Sequence, residues 1–229
     1  MTRGCFVAGT DTGVGKTRVG AALCREFAAR GLRVAGMKPV ATGAFRDGPA
    51  GLRSGDAVAL RAASNVEAPY ELSNPYCFEP AISPHLAAAD AGKAIDPARI
   101  GQCFHALATR SDVVVVEGTG GWLAPIGVNA TMADIAGTLS LPVVLVVGLR
   151  LGCLNHAALT LRAVRDARLP FAGWIANAID PAFTRSADNV STLASLLGVA
   201  PLAQLPFATG DSALPTLHPR AADALLAAL

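Results

Sequence analysis

Apolar positions along this chain follow two different repeats. Short, nearly continuous apolar runs at residues 5–8, 33–37, 113–116, 143–147, 171–176 and 201–205 predict six strands. The run Val113-Val114-Val115-Val116 is wholly β-branched, as suits a strand buried on both faces. Between these runs the apolar residues recur at helical spacing. That spacing predicts helices at 16–30, 56–63, 85–91, 97–109, 132–139, 155–167, 184–197 and 219–229. Regular alternation of this kind predicts an α/β fold, a mostly parallel sheet with helices on both faces, formed as one domain over residues 1–229. The longest irregular stretches are 39–55 and 69–84. Long loops in compact domains usually carry function, and ligands of open α/β sheets lie beyond the carboxyl ends of the strands.

Composition narrows the picture. Charged residues make up 16% of the chain, the net charge is +2 and no basic run stands out, so neither nucleic acid nor an anionic membrane surface is expected as a partner. The longest apolar stretch, around 141–149, contains Pro142 and Gly148 and is too short to span a bilayer. The first strand begins almost at once, leaving no room for a signal peptide. Cys5, Cys24, Cys77, Cys103 and Cys153 are scattered, with no Cys-x-x-Cys pair, and read as reduced thiols of a cytoplasmic protein.

The densest chemical signal follows the first strand: Gly9-Thr10-Asp11-Thr12-Gly13-Val14-Gly15-Lys16-Thr17, leading into a helix. Glycines let successive backbone N–H groups point into one concavity, a nest for phosphate oxygens. The helix N-terminus adds further N–H donors. Lys16 is placed to reach the terminal phosphates and Thr17 to bind Mg²⁺. Five residues separate Gly9 from Gly15, where the usual loop encloses four.

Other strand ends carry further chemistry. Lys38 follows the second strand; it reads either as a surface lysine or as a cation beside transferring phosphate. Glu117 ends the four-valine strand and is followed by Gly118-Thr119-Gly120-Gly121. A carboxylate there is a natural Mg²⁺ ligand. Asp56 opens a short helix, where it reads as a helix cap or as a second metal ligand. The turn at 148–156 precedes a helix whose N-terminus could receive a carboxylate or phosphate. Asn177 ends the fifth strand, where an amide can read a purine edge. His85 and His156 read as structural.

Together these segments resemble the dethiobiotin synthetase family. The resemblance rests on the loop 9–17, Lys38-Pro39-Val40, Leu52-Arg53-Ser54-Gly55-Asp56-Ala57, the proline-rich stretch 74–85, Val116-Glu117-Gly118-Thr119-Gly120-Gly121-Trp122, Leu151-Gly152-Cys153-Leu154-Asn155-His156 and Gly173-Trp174-Ile175-Ala176-Asn177. They run in the family's order from about Phe6 to Phe207, and the extra loop residue is the family's own form. The resemblance implies a P-loop NTPase-like fold and a homodimeric enzyme. Its reaction closes a cyclic urea on 7,8-diaminononanoate with CO2, ATP and Mg²⁺. It implies nucleotide binding by Gly13, Val14, Gly15, Lys16, Thr17, Arg18, Asp56, Glu117, Gly118, Thr119, Gly120, Asn177, Leu205, Pro206 and Phe207. It implies a metal shell of Thr17, Asp56 and Glu117, catalysis by Lys38 and Lys16, and substrate contacts from Thr12, Thr42 and Gly118. Leu151 and Asn155 resemble the part that meets the diamine's carboxylate across the dimer interface. In relatives the adenine reader is often followed by an acid; here Ala178 follows Asn177. No role falls to Asp211.

The main rival is a dimeric switch ATPase of the partitioning type, which has a similar sheet and a deviant phosphate loop. Such proteins usually carry an additional lysine early in that loop, and residues 9–13 have none. A corrin-directed amidotransferase would need an added glutaminase domain, for which 229 residues leave no room.

Overall fold

The computed structural model describes residues 3–208 and 219–229; Asp211 lies outside them. The chain runs through β1 (Arg3–Gly9), α1 (Lys16–Ala29) and β2 (Val34–Met37). A region of short elements follows: β3 (Val40–Ala41), β4 (Phe45–Arg46), β5 (Leu52–Arg53), α2 (Gly55–Ala62), α3 (Tyr70–Ser73) and β6 (Tyr76–Cys77). Next come α4 (Pro84–Asp90), α5 (Pro97–Ala108), β7 (Val113–Glu117), α6 (Met132–Leu139) and β8 (Val143–Leu149). The chain ends with α7 (Cys153–Asp166), β9 (Phe171–Ala178), α8 (Ser186–Leu197), β10 (Ala203–Leu205) and α9 (Pro219–Ala228).

Six strands form a parallel sheet in the order β10-β9-β8-β1-β7-β2. Each strand sends alternate residues to opposite faces, and the two faces have separate cores. On one face Phe6, Ala8, Val114, Val116, Leu145 and Val147 pack with residues of α4, α5, α6, α7 and α8. On the other, Cys5, Val7, Val113, Val115, Val144 and Val146 pack with α1, Leu60 of α2, and Ala222 and Leu225 of α9. The expected α/β sheet with helices on both faces is therefore present. The valine run fits because both faces of β7 are covered.

The topology also positions the ligand site. The chain leaves β1 and β7 at the same end of neighbouring strands, with Val7 opposite Glu117 in register. Strand β2 pairs with the other edge of β7, and Met37 lies opposite Val116. Three consecutive carboxyl ends thus deliver the loop after Gly9, Lys38 and Glu117 to one rim.

Element ends differ modestly from expectation. Helix α7 begins at Cys153, two residues before its expected start, because Gly152 turns the chain in a left-handed conformation (φ 95°). The two long stretches contain the small ladders β3–β6 and β4–β5. Two-residue strands are too short to show a period.

Candidate functional site

The loop between β1 and α1 closes with Gly13 (φ 75°) and Gly15 (φ 92°), left-handed conformations that side chains rarely adopt. Gly15 has a second constraint. A Cβ there would lie 2.1 Å from Asn177 Nδ2. That amide donates to Val14 O at 2.9 Å, tying the loop to the end of β9. Asp11 pairs with Arg150, just beyond β8, and secures the other side of the loop. Lys16 is nearly buried, and its Nζ donates to Asp11 O (2.8 Å) and Gly120 O (2.7 Å). Burial, followed by the nearby positive charge of Lys38, pulls its pKa down to about 8.

Behind Lys16 lies a buried charge network. Lys38 is 2% exposed and Glu117 1%. Lys38 Nζ donates to Glu117 Oε1 at 2.6 Å, Asp56 Oδ2 at 2.9 Å and Gly118 O at 3.0 Å, so all three ammonium hydrogens have acceptors. Burial opposes the charge on Lys38, yet Glu117 and Asp56 together outweigh it and hold the pKa above the ordinary lysine value. Burial pushes the Glu117 carboxyl up, with Lys38 opposing. Burial also acts on Asp56, but Lys38 prevails and holds that carboxyl low. Thr17 Oγ1 lies 2.9 Å from both Asp56 Oδ1 and Glu117 Oε1. Its single proton serves one of them at a time. Glu117 Oε2 is buried without a hydrogen-bond partner.

The network is positioned by segments far from the loop. Ser54, not Asp56, caps α2: its hydroxyl accepts from Ala57 N at 3.5 Å. Asp56 sits in the first turn with its carboxylate turned to Lys38 and Thr17. This corrects the cap reading, because Ser54 already fills that position. Tyr70 Oη accepts from Ser54 N (2.8 Å) and donates to Asn74 Oδ1 (2.9 Å). Asn74 Nδ2 in turn donates to Lys38 O at 2.7 Å. Tyr70 and Asn74 therefore join the start of α2 to the end of β2 and hold Asp56 beside Lys38. Neither residue was singled out from the sequence individually; their only signal was the long irregular stretch 69–84 that contains both.

These groups open into a cavity of about 780 Å³. Its polar wall includes Thr12, Gly13, Gly15, Lys16, Thr17, Lys38, Thr42, Asp56, Glu117, Thr119 and Gly120. The rest of the lining includes Ala81, Ile82, Ser83, Pro84, Ala124 and Pro125. Those six residues went unremarked in the sequence as individuals, since short apolar and proline residues in loops carry no chemical signature. Gly118 is not on the wall; its carbonyl faces Lys38. Val14 is buried beneath the loop. Arg18 lies to one side, its Nη1 donating to Asn177 Oδ1 (2.8 Å) and Pro206 O (2.9 Å). Leu205 is buried and Phe207 exposed on that same side. Leu151, 90% exposed, and Asn155, also exposed, stand off the cavity at the start of α7.

A parallel sheet with a glycine-rich loop, lysine and threonine at a helix N-terminus, and a carboxylate at the neighbouring strand end defines a P-loop nucleotide-binding protein. Comparison with known sequences is more specific. The protein family described as an AAA domain (AAA_26) matches residues 3–210. A protein of Xanthomonas euvesicatoria, named ATP-dependent dethiobiotin synthetase BioD, is 45% identical over 213 residues, 93% of this chain and 95% of its own. A protein of the same name from Aromatoleum aromaticum is 48% identical over 204 residues, covering 87% and 90% of the two chains. This chain belongs to the dethiobiotin synthetase family and is a ligase of that type. Among solved structures, a ParA family ATPase from Chlorobium tepidum aligns with a TM-score of 0.56 at 14% identity, over 100% of this chain and 90% of its own. MinD from Pyrococcus horikoshii aligns at 0.52 and 18%, over 90% and 82%. At such identities these likenesses describe the shared fold alone.

Proposed function

We propose that this protein catalyses the ATP- and Mg²⁺-dependent ring closure of 7,8-diaminononanoate with CO2, giving dethiobiotin, ADP and phosphate. The observation that carries the reading is the convergence of Lys16, Thr17, Lys38, Asp56 and Glu117 on one cavity, in a chain 45% identical to named synthetases over most of its length. The cavity, about 780 Å³, is lined by phosphate-loop residues, Thr12 among them, and by Thr42.

One neutral amine of the diamine attacks CO2 and becomes a carbamate. A carbamate oxygen then attacks the γ-phosphorus and ADP leaves, giving a carbamic–phosphoric anhydride. The second amine attacks the activated carbon, the ring closes and phosphate departs. Each intermediate is anionic, so the step needs fixed cations and N–H donors. Lys16 exchanges its two carbonyl acceptors for phosphate oxygens. Lys38 neutralises charge building on the transferring group. Thr12 and Thr42 orient the diamine, and in-line alignment supplies much of the rate.

The residues fit a magnesium ion. The Thr17 hydroxyl, Asp56 and Glu117 are hard oxygen donors, and Glu117 Oε2 is buried and unpartnered. Among the described residues no group of three or more histidine, cysteine or acidic side chains could hold a metal ion, so nucleotide phosphates and water would supply the other ligands. When bound, the ion would neutralise the β- and γ-phosphates. Asn177, Pro206 and Phe207 would flank the base. A cytoplasmic homodimer, with Leu151 and Asn155 reaching the partner's diamine, completes the reading, in one domain over 1–229. No described helix is long and apolar enough to cross a membrane.

The test is direct. Incubation with the diamine, bicarbonate, Mg²⁺ and ATP should give the ureido product and diamine-dependent phosphate. Phosphate release unaffected by the diamine, with no ureido product, would refute the assignment.

A further inference from the structure

The groups at the ends of β9 and β10 bear on which base the nucleotide carries. Reading adenine's exocyclic amine takes a free acceptor. Asn177 Oδ1 and Pro206 O lie there, and both accept from Arg18 Nη1, at 2.8 and 2.9 Å, each keeping one lone pair. The Asn177 amide nitrogen is engaged too, donating to Val14 O at 2.9 Å. The next residue, Ala178, offers no side-chain acceptor. Beside these acceptors stands a guanidinium, which has five donor hydrogens and no acceptor. Its planar fork matches the O6 and N7 acceptors of a 6-keto purine, whereas adenine presents a donor at position 6.

We infer that Arg18 is a specificity-determining residue that relaxes base choice, so that a 6-keto purine nucleotide is accepted about as well as the adenine one. The inference rests on the nucleotide-site reading above, with the base beside Asn177. Arg18 acts by setting donors beside those acceptors, so that a keto oxygen and an exocyclic amine can each find a partner.

Calorimetric titration of the full chain with ADP and with GDP, each with Mg²⁺, tests this without the diamine. The unaltered protein should bind the two within about tenfold of each other, the range one hydrogen bond covers. Arg18→Val removes the donors and leaves the acceptors Asn177 Oδ1 and Pro206 O, and should shift the ratio roughly fivefold or more towards ADP. A merely structural role for Arg18 would weaken both diphosphates alike and leave the ratio unchanged, which overturns the inference. A preference for ADP beyond about tenfold in the unaltered protein overturns it without any variant. Binding of neither diphosphate would instead overturn the nucleotide-site reading itself.

Discussion

Replacing Lys38 by methionine keeps the length of the side chain and removes one charge from a nearly closed site. Glu117, 1% exposed, then loses the cation 2.6 Å away, while Asp56, whose side chain is 44% exposed, can turn to water. Breaking a buried pair by removing one partner costs about 3–5 kcal/mol. Because only one of the two carboxylates is stranded, Lys38→Met should lose about 3 kcal/mol of stability at neutral pH. Adding Glu117→Gln removes the stranded charge and should recover about 1–2 kcal/mol. The sign with pH follows from the shifts. Lys38, raised in the fold, stabilises below the ordinary lysine value, and that contribution disappears as pH rises through its raised pKa. Glu117, raised by burial, takes up a proton as pH falls, and then no longer needs its partner. The gap between Lys38→Met and the unaltered protein should therefore be widest at neutral pH and shrink on acidification. Urea unfolding at a series of pH values measures it. A gap that stays constant on acidification, or a double variant no more stable than Lys38→Met, would refute the charge argument. In turnover the same variant should lose roughly a hundredfold to a thousandfold in kcat, the scale of one missing cation or donor at a developing anion. ATP should still bind.

Three further outcomes are expected. Glu117→Ala should raise the Mg²⁺ concentration needed for half-maximal turnover by roughly tenfold or more, and an unchanged Mg²⁺ titration would remove Glu117 from the proposed metal shell. Gly15→Ala forces a Cβ to within 2.1 Å of Asn177 Nδ2 at φ 92°, so ATP affinity should drop by about 1–3 kcal/mol; calorimetry showing normal affinity would contradict the geometry. With Lys16 lowered to about 8, its cationic form is lost as pH rises through that value, so ATP binding should weaken above it and be accompanied there by proton uptake. Titrations in buffers of different ionisation enthalpy would detect that uptake, and a flat profile from pH 7 to 9.5 would argue against it.

The sheet was legible because its strands are continuous apolar runs, and a parallel sheet covered on both sides demands them. Phosphate-loop residues were legible because their order along the chain is itself the motif. Asp56 was legible only through the family resemblance, since by position a carboxylate in a helical first turn looks the same whether it serves the helix or a neighbouring lysine. Only the packing of α2 against β2, with Ser54 filling the cap, turns it inward. The lining from Ala81 to Pro84, with Ala124 and Pro125, likewise arises from two loops brought to one cavity. Arg18 was visible as a neighbour of the motif, but its hold on Asn177 and Pro206 depends on side-chain geometry that spacing does not encode.

The ammonium of Lys38, with its three protein acceptors, has a consequence for how the chain matures. Two acids and two lysines are gathered in the site, and they compensate one another without any ligand. A newly made polypeptide can thus close around this region before nucleotide arrives, and ATP need not act as a folding template. Starved of nucleotide, the protein should keep its native hydrogen-exchange protection along β7 and β2, and remain a competent receptor awaiting fuel.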